Sequence, residues 1–323
     1  MLRIHVDFTL PEEAIDLLRA GTRAHQLEFA DQPTTSVLGA ATADPAFARA
    51  EVAFGQPDPA AVAAAPALKW IQLSTSGYTR YDTPAFRAQV ARRGIPVCNA
   101  ARVYAEACAV HAASFILAQA RNLPAALRSR EPHASPAWKD IRAAGTTLQG
   151  CTVLIVGFGT IGHRLAEMLR PFGVNVLAYR RTPRGDEGVP VVTDTQLAHV
   201  LAHDVDHVVN ILPDSPATRA FFDAGRFAAM KPGAVFHNIG RGTTVDQEAL
   251  AQALRSGRLA AAWLDVTDPE PLPEGHALLT APNCHITPHV AGGHRGESLT
   301  LVRHFLANLE RFVRGEPLVD RVM

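Results

Sequence analysis

Cysteine is scarce: Cys98, Cys108, Cys151 and Cys284 are the four in 323 residues, far apart and without a CxxC pair. That spacing fits neither a zinc site nor a disulfide framework, and the four read as reduced core thiols. A surplus of charge is missing as well, with 31 Lys and Arg against 31 Asp and Glu and a sequence pI near 7.3. A chain without a net basic face is a poor partner for nucleic acid, and 47% hydrophobic residues exclude charge-driven disorder. Long apolar runs are lacking, since no stretch approaches the ~18 uninterrupted apolar residues of a membrane span. At the N-terminus Leu2, Ile4, Val6 and Phe8 alternate with Arg3, His5 and Asp7, the period of a half-buried strand rather than of a signal peptide. These absences describe a soluble, cytoplasmic protein that binds neither nucleic acid nor membrane. At ~150 residues per domain, the length suggests two domains.

What is present is an alternation of strands and helices, the pattern of a parallel sheet. After the first strand, Pro11-Glu12-Glu13 opens a helix carrying Ile15, Leu17 and Leu18. Apolar runs at 50–54, 70–73 and 94–98 read as strands, and 103–121 as a long Ala-rich helix. Residues 124–150 have no clear periodicity and read as a surface excursion. From Cys151 the chain is regular: strands at 151–156, 174–179, 207–212, 234–239, 261–266 and near 284–287, then a C-terminal helix over roughly 294–312. Asp246 caps a helix with Glu248 in its first turn and Gly257 just past its end.

Gly157-Phe158-Gly159-Thr160-Ile161-Gly162 is a GxGxxG with a strand before it, a helix after it and a second strand within ~30 residues, the framing that makes this pattern a dinucleotide site. The first glycine permits the tight turn, the second lets backbone approach a pyrophosphate, and the third lets helix pack on strand. Where an NAD-selective site places an acidic residue for the ribose 2′-hydroxyl, this chain has Arg180 and Arg181, with no acidic substitute before Asp186. A guanidinium is a fixed-charge, bidentate donor suited to a 2′-phosphate, so NADPH is expected over NADH, with NADH still possible.

Three downstream segments pair strand ends with ionisable groups: Asn238-Ile239-Gly240-Arg241-Gly242, the run from Leu264 to Leu272, and Thr287-Pro288-His289-Val290-Ala291-Gly292. In a doubly wound sheet such residues share the crevice beyond the carboxyl ends of the strands. Reducing a 2-keto acid needs a cation for the carboxylate, a proton donor for the carbonyl oxygen, and a group that keeps the donor charged. Arg241, His289 and Glu270 supply these in turn.

With these motifs the chain resembles the D-isomer-specific 2-hydroxyacid dehydrogenases, most closely the glyoxylate/hydroxypyruvate reductases. The resemblance runs from LKWIQLSTSGYTRYD at 68–82 to the C-terminal helix and is most specific in NIGRG, LDVTDPEPLP and NCHITPHVAGG. Arg241, Glu270 and His289 follow at the family's separations of 29 and 19 residues. The resemblance implies that Arg241 binds the substrate's carboxylate and carbonyl, that His289 is the acid/base, and that Glu270 pairs with His289 and holds it protonated. It further implies that Asp265 meets the nicotinamide carboxamide side and that amides around Ser76 and Gly77 hold the carboxylate. The cofactor set comprises Gly157, Gly159, Thr160, Ile161, Gly162, Arg180, Arg181, Leu212, Pro213, Thr218, Ile239, Gly240, Asp265 and Gly292. The implied fold is α/β: two doubly wound parallel-sheet domains, one flavodoxin-like and one Rossmann-like, with a cleft between them that closes over the reactants. Residues 1–99 plus 291–323 are assigned to the substrate domain and 100–290 to the cofactor domain, with a homodimer formed through the latter.

The chain departs from the family in two places. Ala109-Val110 stands where the family carries Ala-Glu, and the arginines at 180–181 replace an acid. A nucleotide-sensing, corepressor-like scaffold with vestigial catalysis is the competing reading, and the intact Arg241, Glu270 and His289 argue against it. His199, His203 and His207 sit four residues apart, but a strand starting at His207 breaks the helical register that a shared metal site needs. His285 reads as structural, and Trp138 and Tyr104 read equally as pocket lining or packing.

Overall fold

The computed structural model describes residues 1–34 and 44–323, which form two compact units. The first comprises Met1–Tyr104 and Gly293–Met323, the second Ala105–Gly292. The boundaries expected at 99/100 and 290/291 therefore move to 104/105 and 292/293. The first shift has a plain cause: helix α4 (Ala101–Ala120) is continuous, and the division falls one turn inside it rather than at its start.

In the first unit the chain runs β1 (Arg3–Phe8), α1 (Glu12–Gly21), β2 (Gln26–Thr34), β3 (Val52–Gly55), α2 (Pro59–Ala64), β4 (Trp70–Leu73), α3 (Pro84–Arg93) and β5 (Val97–Cys98). The five strands pair in parallel in the order β2-β1-β3-β4-β5, the flavodoxin-like winding. β1 is not the half-buried strand its alternation suggests. It lies inside the sheet, and every residue after Arg3 is buried, His5 and Asp7 included. A parallel strand covered on both faces has no solvent side for its polar residues. Helix α11 (Glu297–Arg314) returns to this unit with Leu301, Val302, Phe305 and Leu309 buried, and Phe305 stacks between Phe54 at 4.2 Å and Trp70 at 5.3 Å. Truncating such a ring costs about 3–5 kcal/mol.

After α4 the second unit continues with two short helices, α5 (Leu123–Arg128) and α6 (Pro136–Ala143), in the segment whose lack of periodicity suggested an excursion. Both are too short to show a period, and both are started by local signals, a Pro in the first turn of each and the Ser135 cap of α6. There follow β6 (Thr152–Val156), α7 (Thr160–Leu169), β7 (Asn175–Tyr179), β8 (Val191–Val192), α8 (Asp194–His203), β9 (His207–Asn210), α9 (Ala224–Ala229), β10 (Ala234–Asn238), α10 (Gln247–Arg255), β11 (Leu259–Leu264) and β12 (Cys284–Ile286). All seven strands are parallel, in the order β12-β11-β10-β9-β6-β7-β8, the Rossmann winding with one more strand at the far edge. Phe222, Phe227 and Phe236 form the centre of its core.

α4 is long and apolar enough by composition to cross a membrane, and 56% of its most apolar window is buried inside the protein, as in a core helix. All four cysteines are free thiols. Cys98 and Cys108 are buried as expected, whereas Cys151 and Cys284 are only half-buried: Cys151 precedes β6 at the amino end of the sheet, and Cys284 opens the edge strand β12.

Candidate active site

The chain winds away from β6 in both directions, to β7 on one side and to β9 on the other, and this reversal opens a crevice at the strands' carboxyl ends. Gly157 turns there with φ +93°, and a Cβ on it would lie 2.8 Å from the Ile211 carbonyl carbon. Leu212 and Pro213 continue that wall. Gly240 closes it from β10, where a Cβ would sit 2.7 Å from the Leu212 carbonyl oxygen. Gly159 caps α7 with no side-chain cap and no acid in the first turn, and a Cβ there would meet nothing within 4 Å. Thr160 and Ile161 begin the helix, and a Cβ on Gly162 would lie 3.2 Å from the Gly157 carbonyl oxygen and from the Phe158 ring. The result is an uncapped helix N-terminus facing open space, framed by Gly157 and Gly240, where neighbouring backbone leaves no room for a Cβ. It fits a dinucleotide's pyrophosphate.

Two buried asparagines, which sequence reasoning missed, shape the adjoining loops. Asn210 Nδ2 donates to Asn238 Oδ1 (3.0 Å) and Thr244 Oγ1 (2.7 Å), while its Oδ1 accepts the Leu212 amide. Asn238 Oδ1 accepts the Gly240 amide, and the Arg241 carbonyl accepts from both Asn238 Nδ2 and Thr244 Oγ1. Arg241 is thereby held at its backbone, with Nη1 donating to the Gly240 carbonyl. Burial pulls its pKa below the ordinary arginine value, against the charges of Glu270 and Asp214. Next to it, Gly242 touches the 267–268 backbone so closely that a Cβ would fall 2.0 Å from the Thr267 carbonyl carbon. Ile239 is buried behind this loop.

His289 follows β12 in a left-handed conformation, φ +53°. Its Nδ1 lies 2.8 Å from Glu270 Oε2, and Glu270 Oε1 accepts the Thr267 amide at 2.9 Å. Burial alone would raise the Glu270 pKa. The bonds from His289 and Thr267, with the charges of His289 and Arg241, outweigh it and hold the carboxylate below its usual range. With Nδ1 engaged, Nε2 is the ring nitrogen left to exchange a proton.

Asp265 is almost wholly buried, and its carboxylate anchors the histidine loop. Oδ1 accepts from Thr287 Oγ1 (2.6 Å) and the Val290 amide (2.9 Å), and Oδ2 accepts the Ala291 amide (2.9 Å). The His289 amide donates to the Asp265 carbonyl at 2.9 Å, and His111 of α4 meets Thr287 Oγ1 at 3.2 Å. Both oxygens expected at the nicotinamide thus already hold protein donors. Gly292 ends the same loop.

The remaining candidates separate. Thr218 Oγ1 donates to the Pro213 carbonyl (2.6 Å), so its hydroxyl folds the 213–218 turn. Arg180 is not a free cation: its Nη1 lies 3.1 Å from Glu187 Oε1, an acid one position past Asp186, where the window without an acidic substitute closed. Arg181 is exposed. His207 pairs with His237 in the core (3.1 Å) rather than with His199 or His203, and burial pushes its pKa down to about 4. His285 packs against Trp263, and Trp138 against His133. In the first unit, Tyr104 donates to the Ser74 carbonyl, while the Ser76 and Gly77 carbonyls accept from Asn99 Nδ2 and Thr75 Oγ1.

A family model described as "D-isomer specific 2-hydroxyacid dehydrogenase, NAD binding domain" matches residues 113–291. The glyoxylate reductase/hydroxypyruvate reductase of Homo sapiens is 38% identical over 231 residues, 71% of this chain and 70% of that protein. A D-isomer specific 2-hydroxyacid dehydrogenase from Xanthobacter autotrophicus Py2, solved with NADPH and MES, is similar with TM-score 0.79 and 26% identity over 99% of this chain and 98% of that one. The NADPH-dependent glyoxylate/hydroxypyruvate reductase of Sinorhizobium meliloti, solved with citrate, has TM-score 0.75 and 27% identity over 100% of this chain and 98% of that one.

Proposed function

The chain belongs to the D-isomer specific 2-hydroxyacid dehydrogenase family, and from that premise we propose that it reduces short 2-keto acids, glyoxylate and hydroxypyruvate foremost, with NADPH preferred over NADH. It is an NAD(P)-dependent oxidoreductase acting on CH–OH groups. A bound nicotinamide would supply the hydride for the substrate's 2-keto carbon. Arg241 pairs with the substrate carboxylate, and His289 Nε2 delivers the proton to the carbonyl oxygen, giving the 2-hydroxy acid. Glu270 stays ionised, orients the ring through Nδ1 and stabilises its protonated form. Asp265, His111 and Thr287 hold the loop that presents His289.

The observation that carries this reading is the 2.8 Å contact between His289 and Glu270, with Arg241 near enough for its charge to act on Glu270. An intact donor, partner and cation disfavour the scaffold reading. Steady-state oxidation of NADPH and NADH with glyoxylate, hydroxypyruvate, pyruvate and bulkier 2-keto acids tests it. Turnover should be fastest with the two smallest polar substrates and NADPH, and absence of turnover with all of them would overturn the enzyme reading.

A homodimer through the second unit belongs to the same proposal. Val110, Leu123, Leu127 and Ile286 are exposed, Leu127 to 73%, and Gln119 of α4 bonds Trp263 of β11, beside the edge strand that carries Ile286. Apolar side chains along an unpaired edge suit a second copy. Sedimentation should give a dimer that Leu127→Asp weakens; a monomeric wild type would refute it. Four free thiols support a reducing, cytoplasmic setting.

A further inference from the structure

Residues 181–186 lie exposed beyond the carboxyl end of β7, yet the residue that follows them, Glu187, is buried. Its side chain is 3% exposed and that of Arg180 is 14%. Glu187 Oε1 accepts the Arg184 amide at 2.7 Å and Arg180 Nη1 at 3.1 Å, and Oε2 accepts the Gly185 amide at 2.9 Å. The Arg180 amide donates to the Val192 carbonyl of β8, which ties the start of the segment to the sheet. Gly185, at φ +86°, makes the turn that brings its own amide onto the carboxylate.

An acid at this end of the second strand would ordinarily suggest a ribose hydroxyl acceptor and a preference for NADH. The geometry points elsewhere, because both Glu187 oxygens already hold protein donors. Arg181 and Arg184, by contrast, are exposed and form no ion pair among the described residues. We propose that Glu187 is a specificity-determining positioning residue: it folds 180–187 into a closed loop, with Arg180 as its strut, so that the guanidinium groups of Arg181 and Arg184 remain free for a 2′-phosphate. The Arg184 amide is the chief cause that pulls the Glu187 pKa down to about 2, and burial opposes it, so the scaffold carries its charge throughout the neutral range.

This inference rests on the NADPH reading above, and binding of cofactor fragments separates the two. Calorimetric titration of the wild type with 2′,5′-ADP and 5′-AMP should show the 2′-phosphorylated fragment binding at least about tenfold tighter. Equal affinities would remove the NADPH reading itself. In Glu187→Gln a side-chain amide must face one of the donors, and 2′,5′-ADP affinity should fall about tenfold while 5′-AMP changes less than about twofold. Arg184→Ala should do the same, and the double variant should lose little more than either single one, because both act through one loop. Parallel losses for both fragments, selective loss of 5′-AMP, or additive losses in the double variant would each overturn the scaffold role. Thermal midpoints recorded alongside show whether Glu187→Gln is folded, and Arg184→Ala, an exposed substitution, carries the test if it is not.

Discussion

The two sheets each set a buried aspartate among their strand ends, and the two are used in opposite ways. Asp7 of β1 accepts the Gln56 amide at 2.8 and 3.0 Å to its two oxygens. It is packed so tightly that a Cβ on Gly55 would lie 1.7 Å from Oδ1. Asp265, just past β11, accepts a hydroxyl and two amides, all from the loop that carries His289. Burial dominates at Asp7 and pushes its pKa up to about 7, against the Gln56 amide and the charge of Arg80. A carboxylate whose burial outweighs its donors is a source of tension in the fold, whereas one held by a hydroxyl and two amides of a single loop is an anchor for that loop. Two parallel sheets therefore yield one strand end that stability must tolerate and another that chemistry can use.

The largest effect should come from removing what the anchor presents while leaving the anchor intact. His289→Gln deletes the proposed acid, and kcat should fall by about 10³-fold, or about 4 kcal/mol. NADPH affinity by fluorescence titration and the thermal midpoint should hardly move, since the Asp265 bonds to Thr287, Val290 and Ala291 remain. Retained turnover would refute the assignment of the proton donor.

Asp7→Asn should do the reverse, changing stability and not kcat. A carboxyl whose pKa is about 7 in the folded state and ~3.9 unfolded favours folding when protonated. Its contribution is fully present below the unfolded value and is lost as pH rises towards 7. Between pH 5 and 8.5 the wild type should lose on the order of 2–3 kcal/mol from this group, and the variant should not. Urea melts of both proteins at the two pH values measure the difference. Parallel pH dependences would show that Asp7 ionises in the fold as easily as in the unfolded chain.

How legible each strand end is in the sequence follows from the same contrast. Gly157, Gly159 and Gly162, and the set Arg241, Glu270 and His289, stand out in the sequence because the proposed chemistry calls for those residue types just after strands. Seven strands of the second unit give that reading its order. Asp7 and His5 are misread as solvent-facing because a two-residue alternation does not say that a parallel strand is covered on both sides. Asn210, Asn238 and Thr244 pass unnoticed because their importance lies in mutual contacts between residues 28 to 34 positions apart. Glu187 is missed for a related reason: only a closed loop turns an acid seven residues after Arg180 into its partner.

The smallest effect should fall at Asp265 itself, where stability and catalysis meet. Asp265→Asn keeps one carbonyl oxygen for Thr287 and Val290 but turns an amide NH₂ towards the Ala291 N–H, setting donor against donor. Leaving that buried amide unsatisfied costs about 1–3 kcal/mol and lowers the thermal midpoint. His289 sits one residue before Val290 on the displaced backbone, so the proton donor loses alignment and kcat should fall about tenfold, or about 1.4 kcal/mol. KM for the keto acid and Kd for NADPH should stay within about twofold. An aspartate acting chiefly on the nicotinamide would give the opposite split, a raised cofactor Kd with an unchanged midpoint. Titrating NADPH against the folded variant and recording its melt therefore decides whether this carboxylate serves the loop or the cofactor.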